Sequence, residues 1–227
     1  MKKHNIQGRA MAVAAMGLAA SGEANAQSAG SWMLRAGAAR ISPQVSSGDL
    51  SAPSQPGTQA DITADTRPGG GITYMFTDNV SIDLPLAMPF KHDINGAGAI
   101  AGTGKIGEVR ALPVTVLGQY RFMEASAPLR PHVDAGLTYA RFYGEKSTAA
   151  LTGLTGGTPS NPTTLNVKSK LATTIGFGAS YTIDSNWFAD FSVTKTFLKT
   201  RTTLSTGQSM DITLNPTGLQ AAIGYRF

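Results

Sequence analysis

The sequence predicts an all-β protein, an eight-stranded antiparallel transmembrane β-barrel with short periplasmic turns and long extracellular loops. Three observations predict it. Eight segments carry apolar residues at every second position, the period of a strand with one oily face. The connections between them alternate strictly between long and short. Aromatic residues gather at strand ends, where a membrane barrel carries its interfacial girdle.

The first of the 227 residues set the compartment. Lys2, Lys3 and Arg9 flank an apolar run over 10–20, and Ala24-Asn25-Ala26 follows. A basic start, an apolar stretch and small residues at the cleavage positions predict an export signal over 1–26, with the barrel over 27–227. That signal holds +2 of the formal +5, leaving +3. Basicity therefore belongs partly to export, and no nucleic-acid partner is read from it. The absence of cysteine excludes a disulfide framework and thiolate chemistry. Beyond residue 26 no run approaches the ~20 apolar residues of a spanning helix, which leaves a closed barrel as the way through a membrane.

Taken in order, segment 31–41 puts Trp32, Leu34, Ala36 and Ala38 on one face, and 68–76 does so with Ile72, Tyr74 and Phe76. Segment 80–92 repeats the pattern with Val80, Ile82, Leu84, Leu86, Met88 and Phe90, and 111–123 with Leu112, Val114, Val116, Tyr120 and Phe122. Then come 131–142 (Val133, Ala135, Leu137, Tyr139) and 168–183 (Leu171, Ile175, Phe177, Ala179, Tyr181, Ile183). The last two are 187–200 (Trp187, Ala189, Phe191, Val193) and 212–227 (Leu219, Ala221, Ile223, Tyr225, Phe227). Thr77-Asp78-Asn79, 124–129 and Asp184-Ser185-Asn186 make the short turns. Stretches 42–67, 93–110, 143–167 and 201–211, rich in Gly, Ser, Thr, Pro and Asn, read as polar, flexible loops at the other end. In the last strand the interleaved residues are Gln220, Ala222, Gly224 and Arg226. Arginine is costly against acyl chains, so this face is read as inward. Tyr225 and Phe227, closing the chain on one face, are read as an assembly signal for the barrel-assembly machinery.

The stretches YMFTDNVSIDLPLAMPFKHDI (74–94), LPVTVLGQYRF (112–122), RPHVDAGLTYARFY (130–143) and GYRF (224–227) stand in an order that resembles the OmpW family of outer-membrane proteins. GSWMLRAGAARISP (30–43) fits as well. The resemblance implies residence in a Gram-negative outer membrane and a hydrophobic interior that helps small apolar molecules cross. Two places depart from the pattern. The fourth strand has Pro113 followed by Val114 where the family has two prolines, and VKSKLAT (167–173) has Lys170 where a tryptophan is usual. No aromatic gate is carried over to that position.

The inward faces divide by height. Arg35, Asp83, Arg121, Asp134, Asp190 and Arg226 fall near the periplasmic end. Three cations and three anions in a narrow lumen predict a salt-bridge plug, because buried charges must be paired. His132, among them, is read as a satisfied polar core residue. Higher up, Pro85, Ala87, Pro89, Pro113, Ala140, Ala172 and Leu214 make an apolar funnel. Pro85, Pro89 and Pro113 lie on neighbouring strands and lack the N–H a ladder needs. They predict a seam through which apolar solute leaves sideways into the membrane.

Other motifs carry less. Gly69-Gly70-Gly71 precedes a strand, and GTGKIG (102–107) lacks the phosphate-loop spacing. No ligand set has metal spacing, and neither metal nor cofactor is expected. His92 and Asp93 with Ser46 or Ser47 would be the material for catalysis, but the alternation gives His92 a surface role, and no enzyme is predicted. The expected partners are outer-membrane lipid and small hydrophobic solutes, with the barrel as a monomer. The alternative is a passive surface barrel whose loops bind a partner, as an adhesin, phage receptor or stress-response protein.

Overall fold

The computed structural model describes residues 27–227, and the expected export signal lies outside the described residues. In chain order come β1 (Trp32–Ser42), β2 (Ser46–Ser47), β3 (Thr58–Ile62), β4 (Asp65–Met75), β5 (Val80–Ala87), β6 (Phe90–Gly98) and β7 (Lys105–Arg121). There follow β8 (Leu129–Ser147), α1 (Ala149–Leu154), β9 (Leu165–Val167), β10 (Lys170–Thr182), β11 (Trp187–Phe197), β12 (Lys199–Leu204), β13 (Ser209–Thr213) and β14 (Thr217–Arg226).

Eight staves close on themselves. Around the barrel they run β1, β4, β5 continued by β6, β7, β8, β10, β11 and β14, and β14 pairs back onto β1 from Met33↔Arg226 to Ser42↔Thr217. All pairings are antiparallel. Closure satisfies the backbone within the wall and leaves no edge in hydrocarbon. Alternation then sorts the side chains. Leu34, Val114, Leu137, Ile175 and Ile223 are exposed on the outside, while Met33, Arg35, Asp134, Thr174 and Arg226 are buried inside. The outer face is a surface that lipid covers.

At the end bearing the short turns, aromatic side chains pair on the outer face. Trp32 and Tyr74 have ring centroids 4.8 Å apart, Tyr120 and Phe122 5.2 Å, and Trp187 and Tyr225 5.2 Å. Amphipathic rings at this level mark the periplasmic interface. Beneath the lumen, Met33, Met75 and Phe188 form a small fully buried cluster.

The third stave differs from the single strand expected over 80–92. In β5 the inward residues are Ser81, Asp83, Pro85 and Ala87, whereas in β6 Phe90, His92 and Ile94 are the buried ones. One residue of slip at Met88–Pro89 reverses the parity, as a bulge does. Pro89, with no N–H to offer, sits at the break and is exposed.

The long loops are not the polar, flexible connections the composition suggested. β7 has 17 residues and β8 19, well beyond the ~9–11 that cross a membrane. β3 extends the wall beside β6, and β2, β13, β12 and β9 make a second sheet. Leu50, Ile94, Ile100, Val109, Leu151, Leu165, Leu204, Met210 and Ile212 pack together with Leu214 into the largest apolar cluster among the described residues. Burial of widely spaced apolar residues orders these segments, because each removes oily surface from water.

Candidate functional site

The lumen is built in tiers, each from inward positions of neighbouring strands. At the bottom, Arg35 of β1 donates to Asp83 of β5 at 2.6 Å and to Asp190 of β11 at 2.9 Å. His132 Nδ1 of β8 lies 2.8 Å from Asp134 Oδ1, and its Nε2 lies 3.8 Å from Asp190 Oδ2. Thr73 donates to Asp83, adding a neutral donor to the charged one from Arg35. Arg121 of β7 donates instead to Gln27, Ser180 and Gln119, at 3.2, 3.0 and 2.9 Å. The side chain of Gln27 is fully buried and ties the start of the described chain into this floor, also donating to Ser180 at 2.9 Å. Arg130, fully buried, fastens the turns below by donating to the carbonyls of Gln27, Asp78 and Met123.

Of the six residues expected in the plug, five gather here and one does not. Arg226 is buried but donates to the carbonyls of Ser185 and Asp184, bracing the β10–β11 turn. Its position at the end of the last strand puts it below the carboxylates. The expected balance of three cations and three anions is thereby corrected. Asp83, Asp134 and Asp190 share the buried floor with Arg35 and Arg121, and His132 stands between Asp134 and Asp190.

The next tier is neutral and polar. Thr115, Thr138, Thr174 and Thr196, on β7, β8, β10 and β11, join hydroxyl to hydroxyl at 2.8, 2.6 and 2.8 Å. A cavity of about 200 Å³ reaches from Asp83, Gln119 and Asp134 past this tier, and above it the lumen turns apolar. Its lining includes Pro85, Ala87, Pro113, Ala140 and Leu214, all expected there, and also Phe90, Val109, Leu198 and Ile212 from the folded outer segments. Ala172 is buried in the apolar cluster that surrounds it.

Two readings at the third stave are corrected by the slip. Pro89 is exposed and does not line the lumen. His92, expected at the surface, is 4% exposed, lines the cavity, and has Nδ1 2.7 Å from Thr63 O. Ser47 Oγ, one of the serines weighed beside it, accepts from the Ala60 N–H at 3.1 Å. Lys170, at the mouth, is exposed.

Outside the apolar band, at the outer end of β6 and β7, Glu108 accepts from Lys105 at 2.8 Å and lies 3.0 Å from Lys91. The hydrogen bond from Lys105, then that from Lys91, holds its carboxyl at about 2, well below the ordinary range. Lys105 also meets Asp93 at 2.8 Å, and its ammonium is correspondingly raised, first by that bond and then by Glu108.

The wall between β5 and β7 is incomplete. Pairing runs from Val80↔Tyr120 to Asp83↔Leu117 and resumes only between β6 and β7 at Phe90↔Ala111. On the other side of each strand the ladders continue, Leu84↔Ile72 toward β4 and Val114↔Tyr139 toward β8. Leu86, beside this gap, lines the cavity and is 52% exposed.

Comparison with known proteins places this architecture. The family model described as "OmpW family" matches residues 28–227. "Outer membrane protein W" of Vibrio cholerae is 34% identical over 204 residues, spanning 87% of this chain and 89% of that protein. A more distant relative, the "Dibenzothiophene metabolism operon protein PahQ" of Pseudomonas aeruginosa, is 23% identical over 175 residues, spanning 76% of both chains. Among solved structures, the outer membrane protein OprG from Pseudomonas aeruginosa superposes with a TM-score of 0.80 at 24% identity, covering 89% of this chain and 98% of that one. The likeness of fold agrees with an eight-stranded outer-membrane barrel, and the match in sequence gives its kinship: the chain belongs to the OmpW family and resides in the outer membrane.

Proposed function

We propose that this barrel takes small apolar solutes into the outer half of its lumen and releases them sideways into the membrane between β5 and β7. The observation that carries this reading is the missing ladder from Leu84 to Pro89 on one side and from Leu112 to Val116 on the other. Pro85 and Pro113, inward on those two strands, are suited to keep it open, since neither has an N–H to donate. The cavity offers an apolar solute roughly 25 cal/mol for each Å² it hides from water. Below, the ionic floor has no comparable reward for such a solute, and an ion entering from outside must first cross the apolar tier without its hydration. A relative named for dibenzothiophene metabolism is consistent with an apolar aromatic cargo.

The test compares cells with and without the protein. Entry of an apolar solute such as naphthalene should depend on the protein, and entry of a hydrophilic sugar should not. Equal dependence of both would make the barrel a general pore, and dependence of neither would remove the transport reading.

A second reading, a surface barrel that binds a partner, is favoured by the folded sheet of β2, β13, β12 and β9, which gives the outer segments a fixed surface. Removing all of 143–167 would also remove Leu151, Leu165 and Val167 from the cavity lining. Replacing the exposed tip 158–162 with Gly and Ser separates the two functions, because a surface binder would lose its partner while solute entry continued.

A further inference from the structure

The threonine tier has a composition that an apolar conduit does not require. Thr115, Thr138, Thr174 and Thr196 belong to four consecutive staves, one half of the barrel wall. The next inward residues toward the outer mouth are Pro113, Ala140, Ala172 and Leu198. The boundary between polar and apolar lumen is thus a single residue deep on every one of these strands. Across the lumen, Ala39 of β1 and Pro85 and Ala87 of β5 line the cavity without a hydroxyl. At this height the four consecutive staves present hydroxyls, whereas the facing wall presents Ala39, Pro85 and Ala87 with Gln220 of β14 beside them.

Hydroxyl counting shows that the chain is open-ended. Each threonine has one proton to donate and lone pairs to accept. Four hydroxyls joined by three bonds use three protons, and when the bonds run in one direction around the wall, the arrangement in which each hydroxyl both donates and accepts, the fourth stays with a terminal hydroxyl, that of Thr115 or Thr196. Among the described residues neither terminal hydroxyl has a second hydrogen-bond partner. One end of the chain is left with a donor and the other with acceptor lone pairs, both beneath the apolar part of the cavity. A group there that both donates and accepts would complete either end.

We infer that the cavity is a binding site for small apolar molecules carrying one hydroxyl, phenols or alcohols, whose apolar body lies among Pro113, Ala140 and Leu198 and whose hydroxyl joins an end of the threonine chain. A hydrocarbon of the same shape leaves that end unpaired as it expels water, and a site with an unmet polar group discriminates against such a ligand. The inference rests on the lumen being the solute site, and it adds the solute's polar handle.

The test uses the full barrel in lipid nanodiscs with methyl-labelled threonine and alanine, titrated with p-cresol and with toluene, which differ by the hydroxyl alone. Both ligands should shift the Thr115, Thr138, Thr174 and Thr196 methyl signals. The ratio of p-cresol to toluene affinity, read from the Ala140 methyl, should be roughly two- to tenfold higher in the native protein than in a variant with Thr115→Val, Thr138→Val, Thr174→Val and Thr196→Val together, which has no chain end to offer; the difference is the worth of one net hydrogen bond. Serine at the same four positions, which keeps the hydroxyls, should keep the ratio, and Thr115→Val with Thr196→Val, which removes both original ends, stands in where the fourfold valine variant does not fold. An affinity ratio unchanged when these threonine hydroxyls are removed overturns the inference while leaving an apolar conduit standing. Absence of any lumen shift with either ligand removes the solute site itself, and the proposed function with it.

Discussion

Arg35 and Asp83 meet at 2.6 Å with side chains 1% and 3% exposed, and the same guanidinium reaches Asp190 at 2.9 Å. One arginine thus links carboxylates from two strands on opposite sides of β1's own ladder, across the width of the lumen. Removing one partner of a buried pair strands the other charge. Arg35→Met should cost about 3–5 kcal/mol of barrel stability, read by urea unfolding of the refolded protein in lipid. Adding Asp83→Asn and Asp190→Asn to Arg35→Met should recover much of that loss, because the stranded charges are then gone. A single variant as stable as the native protein would show that this pair does not hold the floor.

Gly224 faces Phe188 across the β11–β14 ladder, and a Cβ at that glycine would lie 2.1 Å from the phenyl ring. Phe188 is fully buried with Met33 and Met75 and has little room to turn. Gly224→Ala should therefore destabilise by about 1–3 kcal/mol, the range for overpacking. Combining it with Phe188→Leu should cost less than the sum of the two single changes, a coupling measured by a double-mutant cycle. Strict additivity would mean that the two sites do not compete for the same space.

Glu108 supplies the pH dependence of the outer rim. Its carboxyl is lowered from 4.5 to about 2, first by Lys105 and then by Lys91. A depressed folded-state value stabilises the folded form above pH 4.5, and the contribution disappears as pH falls from there toward about 2. Backbone amides of β6 and β7 near Glu108 should lose hydrogen-exchange protection in that window, relative to amides near Thr138. Glu108→Gln should remove the pH response, and an unaltered response in that variant would assign it to another group.

Alternation made the barrel wall legible, because inward and outward positions in a strand follow from parity within a few residues. Arg35, Asp83, Arg121, Asp134 and Asp190 were placed by it alone. Parity fails where one residue is inserted, and the slip at Met88–Pro89 turned Phe90 and His92 inward against expectation. The two prolines of this stretch signal a break but not its phase. Arg226 had the expected inward parity, yet its height at the strand end sends it to the turn carbonyls. Arg130, at the first inward position of β8 next to Pro131, falls between the expected turn 124–129 and the expected strand 131–142, and neither assigns it a side. In the outer segments, Leu50, Ile100 and Leu151 are isolated among small and polar residues and acquire a common core only through pairing of segments far apart in sequence. The threonine tier was hidden for a related reason, since threonine fits any strand and its alignment across four strands depends on register.

Lateral release is the central claim, and uptake by proteoliposomes tests it most directly. Pro85→Val, Pro89→Val and Pro113→Val together would restore backbone donors along the gap between β5 and β7. With the barrel shown to be folded by its resistance to unfolding in cold detergent, uptake of an apolar solute should fall to the level of protein-free liposomes. Uptake equal to that of the native protein, through a wall whose ladder has been repaired, would contradict the account.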